Sequence, residues 1–276
     1  MIKKSYAKVN LGLKIVNQRL DGYHNINSIF IQIDLHDILQ FIPSHKFKLE
    51  SEGIHVPVDK ANTIFTVVDI LCKQYNIDIK HKIIIKKNIP IGAGLGGGSS
   101  NAAIALKTLS DLYNLELSMS DLINLAKIIG SDVPFFLQGG IKFIEGKGDV
   151  IKNINGTVLN NKKILLVFPK FSVSTPWAYS RVKKDLDTNN NRTKFPPLTE
   201  NVNWKLFNND FEKIVCTTYP EILKIKDVLY KEGALYSGLS GSGSTVFGLY
   251  NDNISLTKVQ TLLSSYHTNI ACPIIQ

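Results

Sequence analysis

The stretch from Pro90 to Asn101, Pro-Ile-Gly-Ala-Gly-Leu-Gly-Gly-Gly-Ser-Ser-Asn, constrains the fold of this chain more than any other segment. It follows Lys82-Ile83-Ile84-Ile85-Lys86-Lys87, which reads as a strand. It precedes a run in which Ala102, Leu106, Leu109 and Tyr113 recur three or four apart, the packing stripe of an amphipathic helix. A glycine loop between a strand and a helix brings backbone amides close to a ligand, because no Cβ stands in the way. The first amides of a helix have no internal partner and the helix dipole is positive there, so an anion is favoured. Gly94 to Ser100 therefore form a candidate phosphate cradle, with Ser99 and Ser100 as candidate helix caps. No Gly-Lys-Ser/Thr ends the loop, so it is not a Walker A motif, and a cation for the phosphate has to come from elsewhere.

Bulk properties narrow the class. A chain of 276 residues, 44% hydrophobic and 20% charged, suits a soluble globular protein of two domains or one large one. The net charge of +9 is spread along the whole length beside many asparagines and isoleucines. That is a global bias rather than the clustered stripe of a nucleic-acid binder, and a phosphorylated substrate fits it equally well. Cys72, Cys216 and Cys272 are widely spaced with no CxxC pair, which indicates reduced structural cysteines and neither a disulfide framework nor a zinc site. The N-terminus lacks an apolar core of signal-peptide length and nothing approaches ~18 uninterrupted apolar residues, so the cytoplasm is the expected compartment.

Along the chain, residues 8–16 and 28–35 alternate like strands, with Asp21-Gly22 in the turn region between them, and 47–50 suits a third strand. Asn62 to Tyr75 reads as a helix, and so does Ser120 to Ile129, with Ser120 as its cap. The second stops at Gly130, which begins Gly-Ser-Asp-Val-Pro-Phe-Phe. The polar segment Asn153 to Lys163 marks a boundary, giving domains of 1–155 and 156–276. Beyond it come a strand at 163–168, a polar surface loop at Asp187 to Lys194, a helix at 221–232, a second glycine loop at 238–243, a strand at 245–250 and a helix at 256–266.

Lys8-x-Asn10, the loop Gly94 to Ser100 and Leu239-Ser240-Gly241-Ser242-Gly243-Ser244 together resemble the GHMP kinases over nearly the entire chain. The resemblance implies an α+β protein, with a ribosomal-protein-S5-like N-terminal domain, a ferredoxin-like C-terminal domain and ATP at the central loop. Tyr6-Ala7-Lys8-Val9-Asn10-Leu11, Asp21-Gly22-Tyr23-His24, Gly94 to Ala103 and Gly130 to Phe136 narrow it. They are similar to the 4-diphosphocytidyl-2-C-methyl-D-erythritol kinase family, which phosphorylates the 2-hydroxyl of a cytidine-diphosphate-linked polyol in the non-mevalonate isoprenoid pathway. Asp21-Gly22-Tyr23-His24 is the discriminating segment. Homoserine- or mevalonate-type kinases of the same superfamily are the alternative, and a basic nucleic-acid-binding module is a remote one.

The resemblance assigns roles residue by residue. Asp132 is the base for the attacking hydroxyl and Lys8 the cation near it, with Asn10 on the same strand face to orient the lysine. Tyr23 and Tyr179 are implied to stack on cytosine, with His24 at its edge. Thr175 belongs to the Thr-Pro pair before Tyr179, and Trp177 competes with Tyr179 for the stacking role. Pro90, Gly92, Gly94, Leu95, Gly96, Gly97, Gly98, Ser99 and Ser100 hold the nucleotide. Asn62 is either a purine contact or only a helix cap, and Lys86 or Lys87 lies next to the loop. Gly241 and Ser242 close over the substrate diphosphate. Mg²⁺ is expected with ATP, held by phosphate oxygens, water and Ser100, with no carboxylate ligand assigned. The expected partner is a small molecule, without nucleic acid or membrane, and the chain is expected to be a monomer or weak homodimer.

Overall fold

A computed structural model of the chain describes residues 1–182 and 195–275; the expected polar loop at Asp187 to Lys194 lies outside the described residues. The chain divides into two compact units. One comprises Met1–Ala7, Leu35–Ile91 and Gly96–Gly139; the other comprises Lys8–Asp34, Gly92–Leu95 and the chain from Gly140 onward.

Two long paired strands, β1 (Ile2–Gln18) and β2 (His24–Pro43), contribute to both units. Both outrun the alternating cores at 8–16 and 28–35, because β2 is continuously buried from Ser28 to Ile33 and resumes its alternation beyond. In the first unit β3 (Lys48–Gly53), α1 (Thr63–Tyr75) and β4 (His81–Lys87) follow. There β3 runs parallel to β4, and β4 pairs antiparallel with Ile38 to Pro43 of β2. The helices α2 (Gly97–Leu112), α3 (Met119–Ile129) and α4 (Val133–Gln138) pack on one another and on α1. Their buried faces carry Ile64, Val67 and Leu71 from α1, Ala102, Leu106 and Leu109 from α2, and Leu122 and Leu125 from α3.

Two helix starts differ from expectation. Ser99 and Ser100 do not cap α2: its N-cap is Gly96, in the left-handed region, with no side-chain cap at all. For α3 the cap is Ser118 rather than Ser120, and Asp121 completes a capping box by accepting from the Ser118 amide.

In the second unit Ser28 to Ile31 of β2 pairs with β5 (Ile141–Glu145), which pairs with β6 (Val150–Asn153). The next elements are β7 (Lys162–Phe168), α5 (Thr175–Ser180), α6 (Asp210–Thr218), α7 (Glu221–Lys231), β8 (Tyr236–Leu239), β9 (Val246–Asn251), α8 (Thr257–Leu262) and β10 (His267–Ala271). The four strands form an antiparallel sheet in the order β10-β7-β9-β8. That is the split βαβ order of a ferredoxin-like domain. Leu165, Val167, Val246 and Tyr250 of the sheet form one core with Phe211 and Val215 of α6 and Ile222, Ile225 and Leu229 of α7. Each such side chain contributes about 1.5–3 kcal/mol when buried, which holds helices too short to persist alone.

Candidate active site

The first unit presents the mouth of α2. Its opening amides from Gly97 onward have no side-chain cap, and Ser100 N already bonds to Gly96 O at 2.9 Å. Gly98 is exposed, Ser99 half-buried and Ser100 buried. The Ser100 hydroxyl lies 2.7 Å from that of Ser5 on β1, turned into the core. Thr63, at the start of α1, donates to Gly98 O at 3.0 Å. Asn62 caps α1 by accepting from Ile64 N at 3.0 Å, and its amide nitrogen donates to Pro57 O. Pro90 is half-buried where the loop begins. Asp132 occupies the N-cap position of α4, yet its side chain makes no capping hydrogen bond.

The second unit holds Gly92 to Leu95 against β1 and the second glycine loop. Lys8 is 4% exposed; its amide donates to Leu95 O at 3.0 Å, and its ammonium donates to Asn10 Oδ1 and, at 3.0 Å, to Gly94 O. Asn10 in turn donates to Ser28 Oγ, which donates to Gly12 O. The Gly94 carbonyl also accepts from Ser240 Oγ at 2.9 Å, so the lysine and the second glycine loop grip one oxygen. Gly94 has φ +77°, and a Cβ there would sit 2.0 Å from Ser240 O, which makes glycine obligatory. Gly241 lies beside Asn10 and Gly94 with φ +58°, and Ser242 Oγ is 2.8 Å from Thr175 Oγ1.

The aromatic candidates fall into three settings within this unit. His24 stacks on Tyr179 with ring centroids 4.9 Å apart and 18° between planes, and Tyr179 meets Phe211 edge-on. Burial lowers His24 from its ordinary pKa, favouring the neutral ring. Tyr23 is 57% exposed, with the Lys147 ammonium 5.3 Å from its ring centre. Trp177 instead packs edge-on to Tyr219 and lines an open cleft of about 540 Å³ with Gly92, Ser172, Ser174 and Thr175. Tyr179, and not Trp177, is the ring beside His24.

Sequence reasoning missed Ser5, Ser28 and Asp37, all buried polar groups within hydrogen-bonded clusters. The alternation of β2 beyond Leu35 could have pointed to Asp37, whereas Ser28 lies in a continuously buried run that gives no such signal. Among the described residues no group of three or more His, Cys, Asp and Glu side chains is arranged to hold a metal ion, and no helix is long and apolar enough to cross a membrane.

Comparison with known proteins agrees over the whole length. Residues 62–140 match the GHMP kinases N terminal domain and residues 197–266 the GHMP kinases C terminal family. The 4-diphosphocytidyl-2-C-methyl-D-erythritol kinase of Thermodesulfovibrio yellowstonii is 39% identical, over 99% of this chain and 98% of that protein. A crystal structure of 4-(cytidine 5'-diphospho)-2C-methyl-D-erythritol kinase superposes with a TM-score of 0.79 and 28% identity, covering 99% of each chain. A homoserine kinase from Cytophaga hutchinsonii reaches a TM-score of 0.75 at 14% identity, over 99% of this chain and 95% of that one, and shares the fold.

Proposed function

The chain belongs to the GHMP kinases, and within them to the 4-diphosphocytidyl-2-C-methyl-D-erythritol kinases; from that premise we propose how its residues transfer the γ-phosphoryl group of ATP to the 2-hydroxyl of 4-diphosphocytidyl-2-C-methyl-D-erythritol. The products are the 2-phosphate and ADP. Phosphoryl transfer requires in-line positioning and stabilisation of charge on the phosphoryl oxygens, with a base to accept the hydroxyl proton.

In this reading the α2 mouth and the residues from Pro90 to Ser100 bind the triphosphate through backbone amides. Asp132 accepts the proton of the attacking hydroxyl as its oxygen bonds to phosphorus and the bond to the ADP oxygen breaks. Lys8, its ammonium fixed by Asn10 and Gly94, stabilises the charge near the acceptor. Tyr23, His24 and Tyr179 hold the cytosine, Asn62 lies toward the purine, and Thr175, Gly241 and Ser242 lie along the acceptor's diphosphate. Mg²⁺ supplies neutralisation of the phosphate charge. The donor set would suit an ion held mainly by phosphate oxygens and water, with the half-buried Ser99, rather than the buried Ser100 that bonds to Ser5, as the hydroxyl that would be open to it.

The observation that supports this acceptor best is the stacking of His24, from the discriminating Asp-Gly-Tyr-His segment, on Tyr179. It gathers an aromatic face and a neutral hydrogen-bonding edge, the two things a pyrimidine needs. A coupled ADP-release assay with the cytidylyl polyol beside homoserine and mevalonate tests it. Turnover is expected with the polyol alone; turnover with either of the others and not with the polyol overturns the reading.

A further inference from the structure

Strand alternation puts an ammonium where an aliphatic side chain belongs. On β4 the buried positions are Ile83, Ile85 and Lys87, and on β2 they continue through Asp37, Leu39 and Phe41. The register that pairs Ile38 with Lys86 sets Asp37 opposite Lys87 one step further on. Their side chains are 0% and 4% exposed and form an ion pair. Asp37 does more than neutralise a lysine. Its second oxygen accepts from the amides of Asn88 and Ile89, both at 2.8 Å, where the chain leaves β4 for the glycine loop. Asn88 donates back to His36 O at 2.9 Å.

The same residues abut the start of α2. A Cβ on Gly97, the first residue of that helix, would lie 2.7 Å from the Lys87 ammonium and 3.0 Å from an Ile89 methyl. A cation beside a helix N-terminus opposes the dipole, so the placement carries an electrostatic cost unless an anion is present. Asp37 supplies one anion from behind; the exposed mouth of α2 is where a second would bind.

We propose that Asp37 is a positioning residue of the nucleotide site: it fixes the charge of Lys87 at the mouth of α2 and, through the amides of Asn88 and Ile89, the entrance of the glycine loop. The inference rests on the ATP-dependent kinase reading above. Burial pushes the Lys87 ammonium below the ordinary lysine value and Asp37 pushes it back up. The other elements packed on Lys87 face it with Gly53 of β3, its partner in register, and Gly97 of α2, neither of which titrates. Asp37 is thus the group that keeps the lysine charged.

The test measures ATP affinity by calorimetry, and thermal stability, in the full chain at about pH 7 and about pH 9. Wild type is expected to bind ATP at both; if it binds at neither, the kinase reading fails and not this inference. Asp37→Asn keeps the volume and removes the charge. It is expected to weaken ATP binding about tenfold or more, and further as the pH rises and Lys87 loses its proton, while CMP binding stays at the wild-type level. Lys87→Met is expected to weaken ATP binding by a similar factor with no added pH dependence, and the double variant to be no worse than Asp37→Asn at the higher pH. Unchanged ATP affinity in Asp37→Asn, or a loss of stability with no pH-dependent loss of affinity, overturns the proposal. Should Asp37→Asn fail to fold, unchanged ATP affinity in Lys87→Met overturns it equally.

Discussion

Gly94 and Gly98 lie four positions apart, one in the loop and one in the first turn of α2, and the structure requires glycine at only one of them. At Gly94 the backbone has φ +77° and a Cβ would stand 2.0 Å from Ser240 O. Gly94→Ala is therefore expected to displace the loop from Lys8 and Ser240 and to lower the melting temperature and turnover together. Gly98 is helical and exposed, and a Cβ there meets nothing closer than Thr63 Oγ1 at 4.0 Å. Alanine at that position should stabilise the helix by up to about 1 kcal/mol on intrinsic propensity. If the triphosphate approaches the amides of this turn, Gly98→Ala should nevertheless raise KM for ATP about tenfold or more, because the methyl group occupies the approach. A stabilised variant with wild-type KM would mean that the cradle lies elsewhere.

At the level of elements, α3 tests how capping is read. Ser118 and Ser120 both precede the apolar period, and what decides between them is Asp121, three residues after Ser118, closing the capping box. Ser118→Ala should cost about 1 kcal/mol in a denaturant titration and Ser120→Ala much less; the reverse order would sink the assignment. The end of α2 carries a pH-dependent contact. Tyr113 OH accepts from Lys80 N and lies 2.9 Å from His81 Nδ1, to which it can donate its own proton when the ring is neutral. Burial, then the N-terminal charge, hold His81 below its ordinary 6.5. The unfolded chain then takes up the proton first as the pH falls, so stability present above about pH 6.5 is lost below it. His24 shifts in the same direction, and His81→Gln should remove only part of the slope between about pH 7 and pH 5. Elements with one apolar stripe, such as α1, α2 and α7, were legible because one face is buried. The helix α4 was not, since Val-Pro-Phe-Phe-Leu is apolar at every position and has no period to follow. Asp37 was equally hidden: its partner is fifty residues away, and only the alternation of Ile83, Ile85 and Lys87 hints that the lysine points inward.

For the molecule as a whole, composition marked a boundary near residue 155, and there the strands of one sheet end at Asn153 and those of the next begin at Lys162. Contacts group the chain differently, placing Lys8 to Asp34 and Gly92 to Leu95 with the residues after Gly140. A shift in composition is local to the sequence, whereas pairings such as Lys8 with Gly94, or His24 with Tyr179, join segments far apart along it. The motifs were legible one at a time; their grouping was not. That grouping has a functional consequence, because His24, Tyr179 and Lys147 with Tyr23 all belong to the second unit, and Asp132 belongs to the first. Recognition of the nucleoside and acceptance of the proton should then be separable by mutation. Asp132→Asn preserves size and removes the carboxylate proposed as the base, so ADP release with the cytidylyl polyol should fall by about three orders of magnitude or more. CMP at a hundred times its Kd should still stabilise that variant by about 2.7 kcal/mol, as it does the wild type. Tyr179→Ala should behave in the opposite way: stabilisation by CMP shrinks, KM for the polyol rises, and turnover at saturating polyol largely returns. If Asp132→Asn loses CMP protection as completely as it loses turnover, the carboxylate supports binding and the base has to be sought elsewhere.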